Sequence, residues 1–282
     1  IMAYTTIDNP SEYFQTVLYT GSTSNITVDI DMRPDFFWFK SRTQAYNNYI
    51  LDTSRPADGD TMPSGDVNMY AFLLTNATDD EDDNNMDGIV QTSTGFIVDG
   101  DGQSLGEAGE GADNMAAWVW KANGGSTSSN TSGDITSTVQ ANTTAGFSIA
   151  TWTGTGANAT IGHGLGATPE LIIIKCRSAG HDWQVGHNSI ASDAWTDFMV
   201  LNENNAAVDQ ANKWNDTAPT STVFTVGDNG SINPSSGTMV GYIFRSIQGY
   251  SKFGSYTGNG NADGAFVYTG FKPAFTMIKA TE

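Results

Sequence analysis

Cysteine is all but absent: Cys176 stands alone in 282 residues. No intrachain disulfide and no thiolate metal centre can form, which excludes a small disulfide-stapled domain. Positive charge is scarce too. With 12 Lys+Arg against 31 Asp+Glu, the net charge is −19. A nucleic-acid binder needs a basic patch to neutralise phosphates, and an anionic membrane surface demands the same, so neither partner is expected. The excess acid fits a saline setting as well as it fits plain solubility. No apolar run approaches the ~18 residues of a transmembrane helix, so no membrane insertion is expected. The opening Ile1-Met2-Ala3-Tyr4-Thr5-Thr6 lacks the basic and apolar stretches of a secretory signal, and Met2 reads as the natural start. Helical periodicity is nearly missing. One helical turn is predicted over Asn9–Phe14, with Asn9 as N-cap and Pro10 at the first helical position.

What is present is strand chemistry. Hydrophobic residues make up 38% of the chain, enough to bury a core, so disorder is excluded despite the charge. The runs Phe36-Phe37-Trp38-Phe39, Leu171-Ile172-Ile173-Ile174 and Tyr242-Ile243-Phe244 are short, aromatic or β-branched, and bounded by turn residues.

The most informative feature is repetition. An aromatic-Thr-Gly turn, a variable loop, then Pro, an apolar run and Lys occur three times. The copies are Tyr19-Thr20-Gly21 with Pro34 to Lys40, Trp152-Thr153-Gly154 with Pro169 to Lys175, and Tyr256-Thr257-Gly258 with Pro273 to Lys279. Arg42 matches Arg177. Thr92 to Val98 matches Thr220 to Val226, and Asn114 to Lys121 matches Thr238 to Arg245. A period of about 100–130 residues is too long for a solenoid, and each unit can hold its own core. The expected fold is all-β: tandem β-sandwich domains of jelly-roll type with a truncated third copy. Boundaries fall at 1–125, a Gly/Ser linker at 126–132, 133–250, and the start of an incomplete third domain at 251–282. That third copy is expected to hold two strands, near 250–256 and 266–278, too few to bury their own apolar surface. Either the chain continues beyond Glu282, the favoured reading, or another subunit supplies the missing strands.

These motifs carry a resemblance. Ile247-Gln248-Gly249-Tyr250-Ser251-Lys252-Phe253-Gly254-Ser255, Tyr268-Thr269-Gly270-Phe271-Lys272-Pro273 and the opening Met2 to Pro10 resemble repeated β-domains of marine bacteriophage tail fibre and virion structural proteins. The likeness covers most of the chain and is weakest over 56–113. It implies a non-enzymatic virion component, assembled in the host cytoplasm and carried in the extracellular particle. A tail fibre for host attachment is the first reading. A capsid decoration or head-fibre protein, or a carbohydrate-binding adhesin or polysaccharide depolymerase, are the alternatives. The resemblance further implies a homotrimer, contacts with other virion proteins, and host surface polysaccharide as a partner.

Candidate sites are few. Asp79, Asp80, Glu81, Asp82, Asp83 and Asp87, with Asp99 and Asp101, supply the hard oxygens that Ca²⁺ takes, although the spacing is not that of an EF-hand. The plainer reading is a solvated acidic loop, and no cofactor other than calcium is indicated. Trp183, Trp195 and Trp214 are candidates for stacking on sugar rings, against core packing as the commoner fate of tryptophan. His181, Asp182 and His187 are a weak zinc pattern, His163 sits in a glycine turn, and Cys176 reads as a buried small hydrophobe. No Gly-x-Ser-x-Gly elbow occurs, no acid pair stands out, and no catalytic residue is assigned.

Overall fold

Side chains alternate across a strand, so a run that is apolar at every position needs cover on both faces. The computed structural model, which describes residues 4–55, 67–69, 71–82, 88–98, 105, 113–190 and 195–282, provides that cover. A 3₁₀ turn at Pro10–Glu12 opens the fold. Asn9 precedes it, but its side chain bonds Ser11 and Glu12 instead of capping the backbone. Nine strands follow: β1 (Phe14–Thr20), β2 (Ile26–Asp29), β3 (Phe36–Ser41), β4 (Asn48–Asp52), β5 (Val67–Met69), β6 (Leu73–Leu74), β7 (Ile89–Gln91), β8 (Gly95–Val98) and β9 (Asn114–Trp120). They build a sheet of order β1-β9-β3-β4-β6 facing one of order β2-β8-β7-β5. Phe37, Phe39, Leu51, Phe96 and Val119 fill the space between.

The second half adds β10 (Ser128–Asn130), β11 (Ser137–Asn142), β12 (Phe147–Thr153), β13 (Ala159–Gly162), β14 (Leu171–Cys176), β15 (Gln184–His187), β16 (Asp197–Val200), β17 (Val208–Asp209), the short helix α1 (Ala211–Trp214), β18 (Val223–Val226) and β19 (Thr238–Phe244). Its large sheet runs β10-β11-β12-β19-β14-β15-β16-β17, covered by the pair β13-β18. The stretch β12-β19-β14-β15-β16 has the same order as β1-β9-β3-β4-β6. Register agrees as well. Met115 pairs with Tyr19 on one side and Ser41 on the other, and Met239 pairs in the same way with Trp152 and Cys176.

The two large sheets pack outer face to outer face. Phe36, Ile50 and Leu73 from the first meet Phe147, Ile149, Leu171, Ile173, Val185 and Tyr242 from the second in a third core. Phe36 takes Tyr242 edge-on at 4.7 Å between ring centres. The molecule is thus four β layers deep, and the apolar runs sit in the middle two.

Two expectations change. The Gly/Ser stretch 126–132 is no loose tether: Ser128–Asn130 pairs with β11, and the preceding Gly124 and Gly125 are hydrogen-bonded to Asp35. Residues 251–282 hold no strand beyond the isolated bridge Ile247↔Ser251, which leaves Phe266, Tyr268 and Ile278 exposed. The equivalents of 250–256 and 274–279 in the other halves are held by β9 and β19.

Candidate functional site

The recurring residues turn out to hold backbone. In the first two aromatic-Thr-Gly turns the glycine donates its N–H to the residue just before the central strand: Gly21 to Asp113 O at 2.7 Å and Gly154 to Gly237 O at 2.8 Å. A Cβ on Gly154 would lie 2.2 Å from Pro234 O, so no larger residue fits there. The acid after the proline catches the chain as it leaves that strand. Asp35 accepts from the N–H of Ala122 (2.7 Å), Gly124 (2.8 Å) and Gly125 (2.6 Å). Glu170 accepts from Ser246 N–H and, at 3.2 Å, from Asn188. The strand-end lysine ties down the next turn, Lys40 on Tyr46 O at 2.6 Å and Lys175 on His181 O.

Charge concentrates in a polar seam beside the third core. Arg55, 2% exposed, bonds Asp52 at 2.7 Å and Glu81. Glu81 also takes Arg177 through two bonds, at 2.9 and 2.5 Å. Tyr242 donates to Asp52 at 2.6 Å, and Gln140 donates to Thr53 at 2.9 Å and Ser54 at 2.8 Å. Residues 52–55 and 81 come from the first half; 140, 177 and 242 come from the second. Burial pushes the Glu81 carboxyl up, but Arg55 and Arg177 outweigh it and hold the group below its ordinary range. Burial disfavours charge on Arg55, and Asp52, Tyr242 and Glu81 reverse that, raising its pKa.

This seam revises the calcium candidate. Asp79, Asp80 and Asp82 are exposed, and Asp82 exchanges backbone bonds with Phe72. Glu81 is committed to two guanidinium groups, and Lys175 holds Thr78 O at 2.8 Å. The acidic stretch is therefore a clasp onto the basic residues of the second half. Asp83, Asp87, Asp99 and Asp101 lie outside the described residues. Among the described residues no group of three His, Cys, Asp or Glu is placed to hold a metal.

The three sugar-stacking candidates are also corrected. Trp183, Trp195 and Trp214 are 0%, 3% and 1% exposed. Trp183 lies against Tyr242 in the third core and donates to Leu74 O at 2.7 Å. Trp195 and Trp214 meet edge-on at 5.5 Å over Gly186, where a Cβ would come within 2.6 Å of both rings. None offers a ring face to solvent. Half-buried tryptophans occur instead on the outer face of the first sheet, where Trp38 pairs across the strands with Trp118. With Lys40, Asn48 and residues 274–277 they line a shallow groove of about 470 Å³.

A family model described as Domain of unknown function (DUF7483) matches residues 9–282. The chain belongs to that family. No curated protein and no solved structure matches it. One DUF7483 model thus spans both halves and the C-terminal segment. Among the described residues of this DUF7483 chain no helix is long and apolar enough to cross a membrane.

The remaining reactive groups are also engaged in structure. Cys176 is fully buried, 3.7 Å from Ser178 Oγ. His163 is fully buried; its Nδ1 accepts from Leu165 N–H at 3.2 Å and its Nε2 faces Thr220 O at 3.3 Å. Burial pushes its pKa down to about 4, so it stays neutral. Lys213, on α1, was not foreseen from sequence. Its ammonium bonds Gln184 (2.8 Å), Asn229 (3.1 Å) and Ser231 (2.6 Å) and lies 4.6 Å from the centre of the Phe198 ring, and burial lowers its pKa to about 8. Asp35, Asp52 and Arg55 were missed as well. The recurrence of an acid after Pro34 and Pro169 was the available signal for Asp35.

Proposed function

We propose that this chain is a non-enzymatic structural protein of a bacteriophage particle, a tail fibre subunit that serves host attachment. The observation that carries the reading is the use of the recurring motif. Its glycine, acid and lysine all bond backbone, so what recurs along the chain is a scaffold and not a reaction centre. The sequence resemblance to phage virion proteins points the same way. The reading includes a homotrimer and neighbouring virion proteins. Antibody labelling of intact particles tests it: label on the tail supports the fibre, label on the head moves the assignment to a capsid decoration or head-fibre protein, and absence from purified particles overturns both. A light-scattering mass of one chain at micromolar concentration overturns the trimer. The carbohydrate-binding adhesin alternative loses the three tryptophans that favoured it, since all are buried.

A further inference from the structure

We propose that the groove on the outer face of the first sheet binds an acidic sugar ring, a hexuronate unit of a polysaccharide. The inference rests on the host-attachment reading for its role and gives that reading a ligand class and a place. The tryptophans involved are a different pair from the three singled out in the sequence. Side chains alternate along β3, so Phe36, Trp38 and Lys40 share its outer face. The second half covers Phe36 in the third core. Trp38 lies at the margin of that core and keeps part of its surface in solvent. Trp118 stands opposite it on β9, with the two rings edge-on at 6.3 Å. Phe275 packs 5.6 Å from Trp118 and forms part of the groove wall.

Three features of the groove select the ligand. Its aromatic walls suit the apolar C–H side of a pyranose ring. Its polar end holds an acceptor in want of a donor: Asn48 Oδ1 is buried and has no hydrogen-bond partner among the described residues. Thr75, which donates its N–H to Asn48 O at 2.9 Å, leaves its Oγ1 in the same condition. A buried acceptor left unpaired is costly, and a ring hydroxyl that donates to Asn48 Oδ1 removes that cost. The third feature is charge. Lys40 lies across the β3/β4 pair from Asn48 and is the one charged residue among those that line the groove, in a chain with 31 Asp+Glu. Its ammonium bonds Tyr46 O at 2.6 Å and, carrying more than one N–H, has donors left for a carboxylate. A neutral sugar leaves that cation without a counter-charge, and an apolar ligand leaves Asn48 unpaired as well. A carboxylate, a hydroxyl and an apolar ring face come together in a hexuronate.

The probe is a tetramer of galacturonic acid, titrated into the full chain and read by saturation-transfer NMR. Binding should saturate, with transfer from aromatic protons to the sugar ring, and should weaken as salt is raised. A neutral glucose tetramer should bind at least about tenfold more weakly, because it lacks the charge that Lys40 meets. Lys40→Met should erase that preference. Asn48→Leu should weaken binding of the acidic tetramer by about tenfold without lowering the melting temperature, since it removes an unpaired buried acceptor. Trp38→Leu should abolish binding. Absence of saturable binding, equal binding of the neutral tetramer, or binding unchanged in both Asn48→Leu and Trp38→Leu overturns the proposal. Particle labelling decides the attachment reading separately: a chain found on the tail that refuses the uronate overturns this site alone, and a chain that binds uronate but is absent from particles overturns the attachment reading alone.

Discussion

Glu81 shows how much one side chain carries. Among the described residues it is the carboxylate shared by Arg55 and Arg177, and removing one partner of a buried ion pair costs about 3–5 kcal/mol because the other charges stay behind. Glu81→Gln should therefore lower urea stability by about 3 kcal/mol, read from the midpoint at constant slope. His163 gives a pH signature. Its folded pKa of about 4 lies below the ordinary 6.5, so between these values the unfolded chain binds a proton that the folded chain refuses. Stability should fall as pH drops from 6.5 to 4, by on the order of 3 kcal/mol. Glu81 adds to the loss at the acid end, since its contribution vanishes as pH falls through its lowered pKa. Denaturant titrations across that range, with His163→Asn as control, check the assignment.

At the scale of elements, the acid after the motif proline sets how the central strand leaves the sheet. Asp35 receives three backbone N–H groups and Glu170 receives one. Buried donors left without a partner cost about 1–3 kcal/mol each. Asp35→Ala should thus cost about 3 kcal/mol or more and Glu170→Ala about a third of that. Hydrogen exchange should show lost protection at Gly124 and Gly125 in the first variant and at Ser246 in the second. These strands were legible in the sequence because the apolar runs, the prolines and the Thr-Gly turns mark their ends. The short helix α1 was not. Ala211–Trp214 is a single turn, too short for any periodicity, and it forms where Lys213 and Trp214 are pulled inward by tertiary contacts.

The whole molecule is held by its third core. Phe36, Trp183 and Tyr242 meet at the contact between the halves, so the two sandwiches should melt in one cooperative transition by calorimetry. Phe36→Ala deletes an aromatic from that contact, at a cost of about 3–5 kcal/mol, and should split or broaden the transition. A variant that simply shifts a single sharp peak would show the halves to be coupled by other means. The sequence by itself determined the strand class and the recurrence of the motif, because apolar runs and turn chemistry are local and recur with the motif. It did not determine that the sheets stack back to back. Trp183 shows why: a tryptophan bounded by polar residues reads as a sugar platform or as a core residue, and its burial depends on a sheet more than a hundred positions away. The acidic run is the same case. Only the tertiary fold brings Arg55 and Arg177 to Glu81, and with that the segment becomes a clasp, because charge attraction depends on distance in space and not along the chain.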